Sequence, residues 1–480
     1  MSNATVLRQH HQEQLNNYKN QQKQAHELTG LLNQLDEEQD IQVTLFGELL
    51  TNIPTSTQLA MIQNATKTRP SNQSISVTQV LQAVQTLAAH KQLSHARVDI
   101  GQLLVNGADI SEQLAATNTD EQQTYQSDAV DVVLYGFGRI GRILTRLLLD
   151  QMASDKGLQL KAVVVRPGAD NDLYKRASLL ERDSIHGSFG GAIDIDEQNN
   201  GIIVNGRFVQ FIYANDPSEI DYTAYGIDHA LIIDNTGKWK DTEGLSKHLQ
   251  ATGSQKVLLT APAKGDIKNV VYGVNNDTIA DDKIVSAASC TTNAITPTLK
   301  VINDKYGVET GHVETIHSFT NDQNLIDNYH KSDRRGRSAV LNMVITSTGA
   351  AKAVGKALPE LNGKLTGNAI RVPTPNVSLA ILNLNLKTAP ADATELNQFL
   401  QQVANSQQWQ SQIAYTDSTE AVSTDFVGTK QVGIIDAQAT IVTDNHATVY
   451  IWYDNEVGYS TQVLRVAAQM AGICYRQIPA

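Results

Sequence analysis

The sequence predicts an α/β chain in three parts: a helical N-terminal extension, a doubly wound parallel sheet, and an α+β domain built on an antiparallel sheet. Three observations carry this. Composition shifts near residue 130, from a Gln-, Asn- and His-rich stretch poor in glycine to β-branched runs alternating with helical ones. The runs DVVLY, KAVVVR, HALIID and KVLLT are short and apolar throughout, as strands buried on both faces are. From about residue 312 the runs HVETIHSF, VSLAILNLNLK and HATVYIWY alternate instead, as strands with one wet face do.

The extension covers residues 1–128. In SVTQVLQAVQTLAAH, Val77, Val80, Leu81, Val84, Leu87 and Ala88 follow helical spacing, with Ser76 placed to cap the first turn. Leu28, Leu31, Leu32 and Leu35 make a second stripe. Between them NATKTRPSNQSIS reads as a loop, and ATNTDEQQTYQSD reads as a linker into the next domain. Residues 129–288 form the doubly wound domain, with helical patterns such as RILTRLLLDQMA and TEGLSKHLQA between its strands. Residues 289–455 form the α+β domain.

Bulk properties narrow the function. A chain of 480 residues can hold two or three cores. Its net charge of −12 and pI near 5.5 disfavour a general nucleic-acid binder, while leaving room for a local basic pocket. The first twenty residues have no apolar core of a secretory signal, and no run of about 18 apolar residues suggests a membrane span, so a cytoplasmic protein is expected. Two cysteines, Cys290 and Cys474, make no disulfide framework, and no metal ligands are assigned.

The stretch DVVLYGFGRIGRILTRLLL places Gly136, Gly138 and Gly141 between an apolar strand and an amphipathic helix. Gly136 permits a tight turn, Gly138 lets a pyrophosphate approach the backbone, and Gly141 lets helix and strand pack closely. A Rossmann-type dinucleotide site follows, with the phosphates at the helix N-terminus; the bland alternative is an ordinary β–α turn. The second strand ends KAVVVRPGAD, with Arg166 where a carboxylate would read the ribose hydroxyls of NAD. Arginine there suits the 2′-phosphate of NADP. The alternative is a solvated Arg166, with Asp170 or Asp172 reaching back.

In SAASCTTN, Cys290 precedes a helical pattern, a position that lowers a thiol's pKa through the helix dipole and free amides. His317, in HVETIHSFTNDQ, lies on a strand-like segment that can return beside it. An inert buried cysteine and a satisfied core histidine are the alternatives at this stage.

From residue 131 onward the chain resembles phosphorylating glyceraldehyde-3-phosphate dehydrogenase. The resemblance rests on YGFGRIGR, RDSIHG, DNTGKW, SAASCTTNAITP, HSFTNDQ, DRRGRSA, STGAAKAVGKALPELNGKLTG, RVPTPNVS and WYDNEVGYS, in that order. It implies a thiohemiacetal and then a thioester on Cys290, with His317 as base, resolved by inorganic phosphate to an acyl phosphate. It implies that Ser289, Thr291, Thr348, Gly349 and Arg335, of the Arg334–Arg335 pair, hold the attacking phosphate. Thr320 and Arg371 would hold the substrate's own. Asn455 would hold the nicotinamide carboxamide, and Arg139, Ile140, Thr236, Gly237 and Thr260 would line the cofactor cleft. The resemblance further implies a homotetramer, a place in glycolysis or gluconeogenesis, and a C-terminal helix, 456–480, that completes the nucleotide domain.

Three departures qualify this. Arg166 stands where NAD-specific relatives have an acidic residue, and Asn328–Tyr329 replaces a Leu-Pro pair that crowds out a 2′-phosphate, so NADP use is expected beside NAD. Retention of Thr320 and Thr348 favours the triose over erythrose 4-phosphate, the alternative substrate. The extension is foreign to the typical member. It fits an oligomerisation module, a partner site or a partly disordered arm. A regulatory binding protein on a retired enzyme is the remaining alternative, but it should have lost part of the site.

Overall fold

A computed structural model describes residues 3–67, 75–107, 109–117, 128–151 and 155–479. The chain divides into two compact units, one of residues 1–128, 150–157 and 472–480, the other of residues 129–149 and 158–471. The expected loop at 64–76 and linker at 116–128 fall largely outside the described residues. Where residues of the loop are described, helix Thr55–Lys67 runs four positions into it, since no breaker precedes Pro70.

The N-terminal unit holds the expected helices. Asn3–Gln39 buries Leu28, Leu32 and Leu35 together with Ala25, and Val77–Ala89 buries Val77, Val80, Leu81, Val84 and Leu87. Ser76 caps the latter in a reciprocal box: its Oγ accepts from Gln79 N at 3.2 Å, and Ser76 N donates to Gln79 Oε1 at 2.9 Å. A sheet accompanies these helices, which the helical expectation did not include. Ile41–Leu45 turns through Phe46 and Gly47, both at positive φ, into Glu48–Leu49, and pairs in parallel with Ala96–Asp99. Asp99 fixes the turn by accepting from Phe46 N at 2.9 Å and Gly47 N at 2.7 Å.

The far edge of this sheet corrects the expected role of residues 456–480. Helix Val457–Met470 stays with the larger unit, but Arg476–Ile478 forms a strand parallel to Ala96–Asp99. Burial explains the exchange. Ile478 is 1% exposed within the N-terminal core, and Tyr475 Oη donates to the buried Asp40 at 3.2 Å.

The larger unit contains two sheets. In the first, Ile284–Ser286, Ser254–Leu259, Ala230–Asp234, Val130–Tyr135, Leu158–Val165 and Arg207–Tyr213 lie side by side in parallel, and Gly201–Val204 and Ile193–Asp196 continue antiparallel. Its central strands are the four apolar runs, buried on both faces as such runs require. In the second, Val308–Ser318, Ser378–Leu386, His446–Tyr453 and Gly433–Thr443 are successive antiparallel neighbours. Two pairings are parallel, Leu365–Val372 with Val308–Ser318 and Ile413–Thr416 with Gly433–Thr443, and Val344–Ser347 closes one edge antiparallel to Leu365–Val372. Helices Cys290–Tyr306, Ala350–Ala357 and Ala393–Asn405 share a core with this sheet. Among the described residues no helix is long and apolar enough to cross a membrane.

Candidate active site

Cys290 is the first residue of its helix, and Ser289 is the cap. Ser289 Oγ accepts from Thr292 N at 3.0 Å and meets Thr292 Oγ1 at 2.7 Å. Ala288, just before, is held at φ 55, a left-handed conformation uncommon outside glycine. Asn293 Nδ2 donates to Ala287 O at 2.8 Å and Ser289 O at 2.9 Å, so the loop that presents the thiol is tied from the helix it enters.

His317 stands near the end of Val308–Ser318, in register with Arg371 on the parallel neighbour. That pairing, with the Cys290 helix beneath, brings three residues together that lie 27 and 54 positions apart. Cys290 Sγ is 3.5 Å from His317 Nε2. His317 Nδ1 is 2.7 Å from Ser318 O, and Arg371 Nη1 is 2.9 Å from the same oxygen and 2.8 Å from Nδ1. We assign the neutral imidazole's proton to Nδ1, donating to Ser318 O. Nε2 then presents its lone pair to the thiol.

Burial pushes the Cys290 thiol up, against the opposing pull of Arg371 and of hydrogen bonds at Thr291. Burial, then the Arg371 charge, brings His317 down to about 3. Both shifts favour the uncharged forms of the pair, because burial penalises each charged form. The lowered thiol expected from the helix terminus is overridden by desolvation. Arg371 supplies the fixed positive charge, and its Nε is buried with no partner among the described residues.

The residues expected to hold the phosphates fall into two groups. Asp322 accepts from both the Thr320 hydroxyl and Arg335, and it lies within electrostatic reach of His317 and Arg371. Thr320, Arg335 and Arg371 thus border the Cys–His pair. Thr348 and Gly349 lie farther along. Arg371 pairs with Val344, whereas Thr348 follows Ser347 at the opposite end of that strand, about 13 Å away along the backbone. Thr348 Oγ1 accepts from Ala350 N at 3.2 Å, and Gly349 caps helix Ala350–Ala357. Thr291 and Ser289 flank the nucleophile as expected, with their hydroxyls already engaged. Thr291 Oγ1 meets the buried Tyr453 hydroxyl at 2.9 Å, and that hydroxyl reaches Thr315 at 2.7 Å.

The glycine turn fits a dinucleotide. Gly136 has φ 108, and a Cβ there would stand 2.8 Å from Asn235 Oδ1. A Cβ on Gly141 would stand 2.5 Å from Gly136 O, so helix Arg139–Gln151 packs as closely as the strand allows. A Cβ on Gly138 would meet nothing within 4 Å, leaving its backbone open to a ligand. The Arg139 guanidinium is bound to both Glu456 and Asp183. Ile140 follows it in the same first turn. Thr236 N and Oγ1 both donate to Asp234 Oδ1, at 2.8 and 2.7 Å, and Gly237 adopts φ 64. Thr260 N donates to Asp234 O at 2.9 Å. Arg166 is exposed at the strand tip, and Asp172 is engaged by Arg176 at 2.5 Å. Asn455 Oδ1 accepts from Ser378 Oγ at 2.9 Å.

Known proteins resemble this chain in sequence. Residues 289–455 match the glyceraldehyde 3-phosphate dehydrogenase C-terminal domain, and residues 130–242 match the NAD binding domain of the same family. Glyceraldehyde-3-phosphate dehydrogenase of Zymomonas mobilis is 42% identical over 349 residues, covering 72% of this chain and 99% of its own. The chain belongs to the glyceraldehyde-3-phosphate dehydrogenase family. Glyceraldehyde-3-phosphate dehydrogenase 1 of Bacillus subtilis is 39% identical over 346 residues, covering 72% of this chain and 98% of its own. A glyceraldehyde-3-phosphate dehydrogenase-like protein of Pseudomonas aeruginosa is 58% identical over 392 residues, covering 80% of this chain and 85% of its own. That match is longer than the stretch from Val130 to the C-terminus, so it reaches into the N-terminal unit. The family is an oxidoreductase family with a nucleotide-binding domain for NAD or NADP.

Several polar residues of the site, Asp322, Ser378, Tyr453 and Glu456 among them, were not singled out from the sequence. These four all sit inside motifs quoted above. The available signal was a buried polar side chain at a position where alternation calls for an apolar one, as at Ser378 and Tyr453.

Proposed function

We propose that the chain oxidises D-glyceraldehyde 3-phosphate with NAD or NADP and inorganic phosphate, giving 1,3-bisphosphoglycerate. The observation that supports this is Cys290 Sγ at 3.5 Å from His317 Nε2, with Arg371 against the same imidazole. Cys290 forms a C–S bond to the aldehyde carbon while its proton passes by way of Nε2 to the carbonyl oxygen. Nε2 next takes the hydroxyl proton as the carbon is oxidised to a thioester. The bound nicotinamide supplies the acceptor for the departing hydride. Phosphate then attacks the thioester carbon, the C–S bond breaks, and sulfur regains a proton from His317. One proton is released to solvent overall.

Arg371 and Thr320 hold the substrate's phosphate, and Ser289, Thr291, Arg335, Thr348 and Gly349 serve the incoming one. Gly136, Gly138, Arg139, Ile140, Gly141, Thr236, Gly237, Thr260 and Asn455 hold the cofactor. Arg166 admits a 2′-phosphate, a reading supported by its exposure at the strand tip and by Asp172 being held by Arg176. The boundary between nucleotide and catalytic domains is placed at 288/289. A homotetramer accounts for the exposed apolar segment after His317, where Leu325, Ile326, Tyr329, Leu341 and Met343 are 63–92% exposed.

Initial rates with glyceraldehyde 3-phosphate and phosphate, NAD and NADP side by side, test the assignment. Turnover that disappears in Cys290→Ser supports it. Equal rates for wild type and Cys290→Ser contradict it.

A further inference from the structure

Ser378 bridges the two halves of the site. It opens strand Ser378–Leu386 directly after Val377, a β-branched residue at φ 62, where such side chains are strained. It is 1% exposed, and its neighbour in register is Tyr453, two residues before Asn455. Its Oγ accepts from Ser318 N at 3.1 Å, on the residue after His317, and donates to Asn455 Oδ1 at 2.9 Å. The Tyr453 hydroxyl, engaged by Thr291 and Thr315, also hydrogen-bonds Ser378 and so can fill the second lone pair of its Oγ.

This arrangement decides which way the Asn455 amide faces. An amide offers one oxygen and one NH2 group, related by a simple flip. Ser318 N–H occupies a lone pair of Ser378 Oγ, and the Ser378 O–H goes to Asn455 Oδ1. The flipped amide would present NH2 to a hydroxyl that has a proton of its own to donate, and would leave Oδ1 facing outward. In this orientation Nδ2 has no partner among the described residues and is not fully buried.

We propose that Ser378 is a positioning residue that holds the Asn455 amide with Nδ2 presented to the carbonyl oxygen of the nicotinamide carboxamide, and that it couples this clamp to the backbone of the His317 strand. The inference rests on the cofactor assignment above. Ser378 touches neither substrate nor cofactor and acts only through Asn455. Its loss therefore weakens recognition of the nicotinamide end and leaves the adenosine and pyrophosphate end unaffected.

The test is calorimetric binding of NAD, or of NADP if wild type prefers it, and of ADP-ribose or its 2′-phosphate, which lack the nicotinamide. The proteins are full-length wild type, Ser378→Ala, Asn455→Ala and the double variant. Ser378→Ala is expected to weaken dinucleotide binding about tenfold, the scale of one oriented hydrogen bond, with ADP-ribose changed less than twofold. The double variant should bind no worse than Asn455→Ala, since the two residues act as a unit. Retained ADP-ribose binding also shows that the variant is folded. Unchanged dinucleotide affinity in Ser378→Ala overturns the proposal, as do equal losses for both ligands or losses that multiply in the double variant. Failure of wild type to bind either dinucleotide overturns the cofactor assignment and the proposal together, whereas wild-type binding with unaffected Ser378→Ala overturns the proposal alone.

Discussion

Replacing Ile478 by alanine should loosen the N-terminal unit from the far end of the sequence. Ile478 is 1% exposed within that unit's core, on a three-residue strand paired with Ala96–Val98. The substitution removes three carbon groups worth about 0.8 kcal/mol each in transfer, and the residual cavity brings the cost to about 3 kcal/mol. Truncation after Ala471 removes the ladder and the Tyr475–Asp40 bond as well, at about 1 kcal/mol per hydrogen bond, for a total near 6 kcal/mol. That is a large share of the 5–15 kcal/mol of a typical domain. All three tryptophans, Trp239, Trp409 and Trp452, lie in the larger unit, so their fluorescence reports that unit. Hydrogen exchange of peptides covering Ile41–Leu45 and Ala96–Asp99 reports the other. Ile478→Ala should speed that exchange about a hundredfold where it proceeds by opening of the whole unit. Exchange changed less than threefold would refute the assignment of the C-terminal strand to this core.

Asp36, buried beside Asp40 and Glu37, is pushed up to about 6, first by desolvation and then by those charges. Its folded pKa exceeds the unfolded one, so stability falls as pH rises from about 4 to 6; Asp36→Asn should gain up to about 2 kcal/mol at pH 7, after screening, and nothing near pH 4 in urea titrations. His317 is shifted the opposite way, so its contribution is lost as pH falls from 6.5 towards 3, and His317→Asn should flatten the acid limb of tryptophan-detected unfolding. Tyr453→Phe strips the Thr291 and Thr315 hydroxyls of a shared partner and should destabilise the larger unit by about 1–3 kcal/mol in the same assay. Gly141→Ala forces a Cβ to 2.5 Å from Gly136 O and should raise the cofactor Kd at least tenfold by calorimetry.

The parts of the fold legible from sequence were those with a local signal. The four apolar runs were strands because continuous burial demands it, and the stripe from Val77 to Leu87 was a helix with its cap in place. The pairing of Cys290 with His317 was offered from the strand's possible return and carried by family likeness, since local pattern does not encode a contact across 27 residues. The sheet of the N-terminal unit escaped notice because Ala96–Asp99 is four residues long and its edge strand comes from position 476. Arg139 was expected to line the cofactor cleft, but the sequence did not say where its guanidinium goes. Its commitment to Glu456, 317 positions away, is a tertiary fact that no local pattern encodes.

The central claim is that Cys290 carries the acyl group. Rapid mixing of the full-length chain with oxidised cofactor and glyceraldehyde 3-phosphate, without inorganic phosphate, tests it most directly. The account predicts a burst of about one reduced cofactor per subunit and an acyl adduct on the Cys290 peptide by mass spectrometry, discharged when phosphate is added. Turnover without a burst, or an adduct on any other residue, would contradict it.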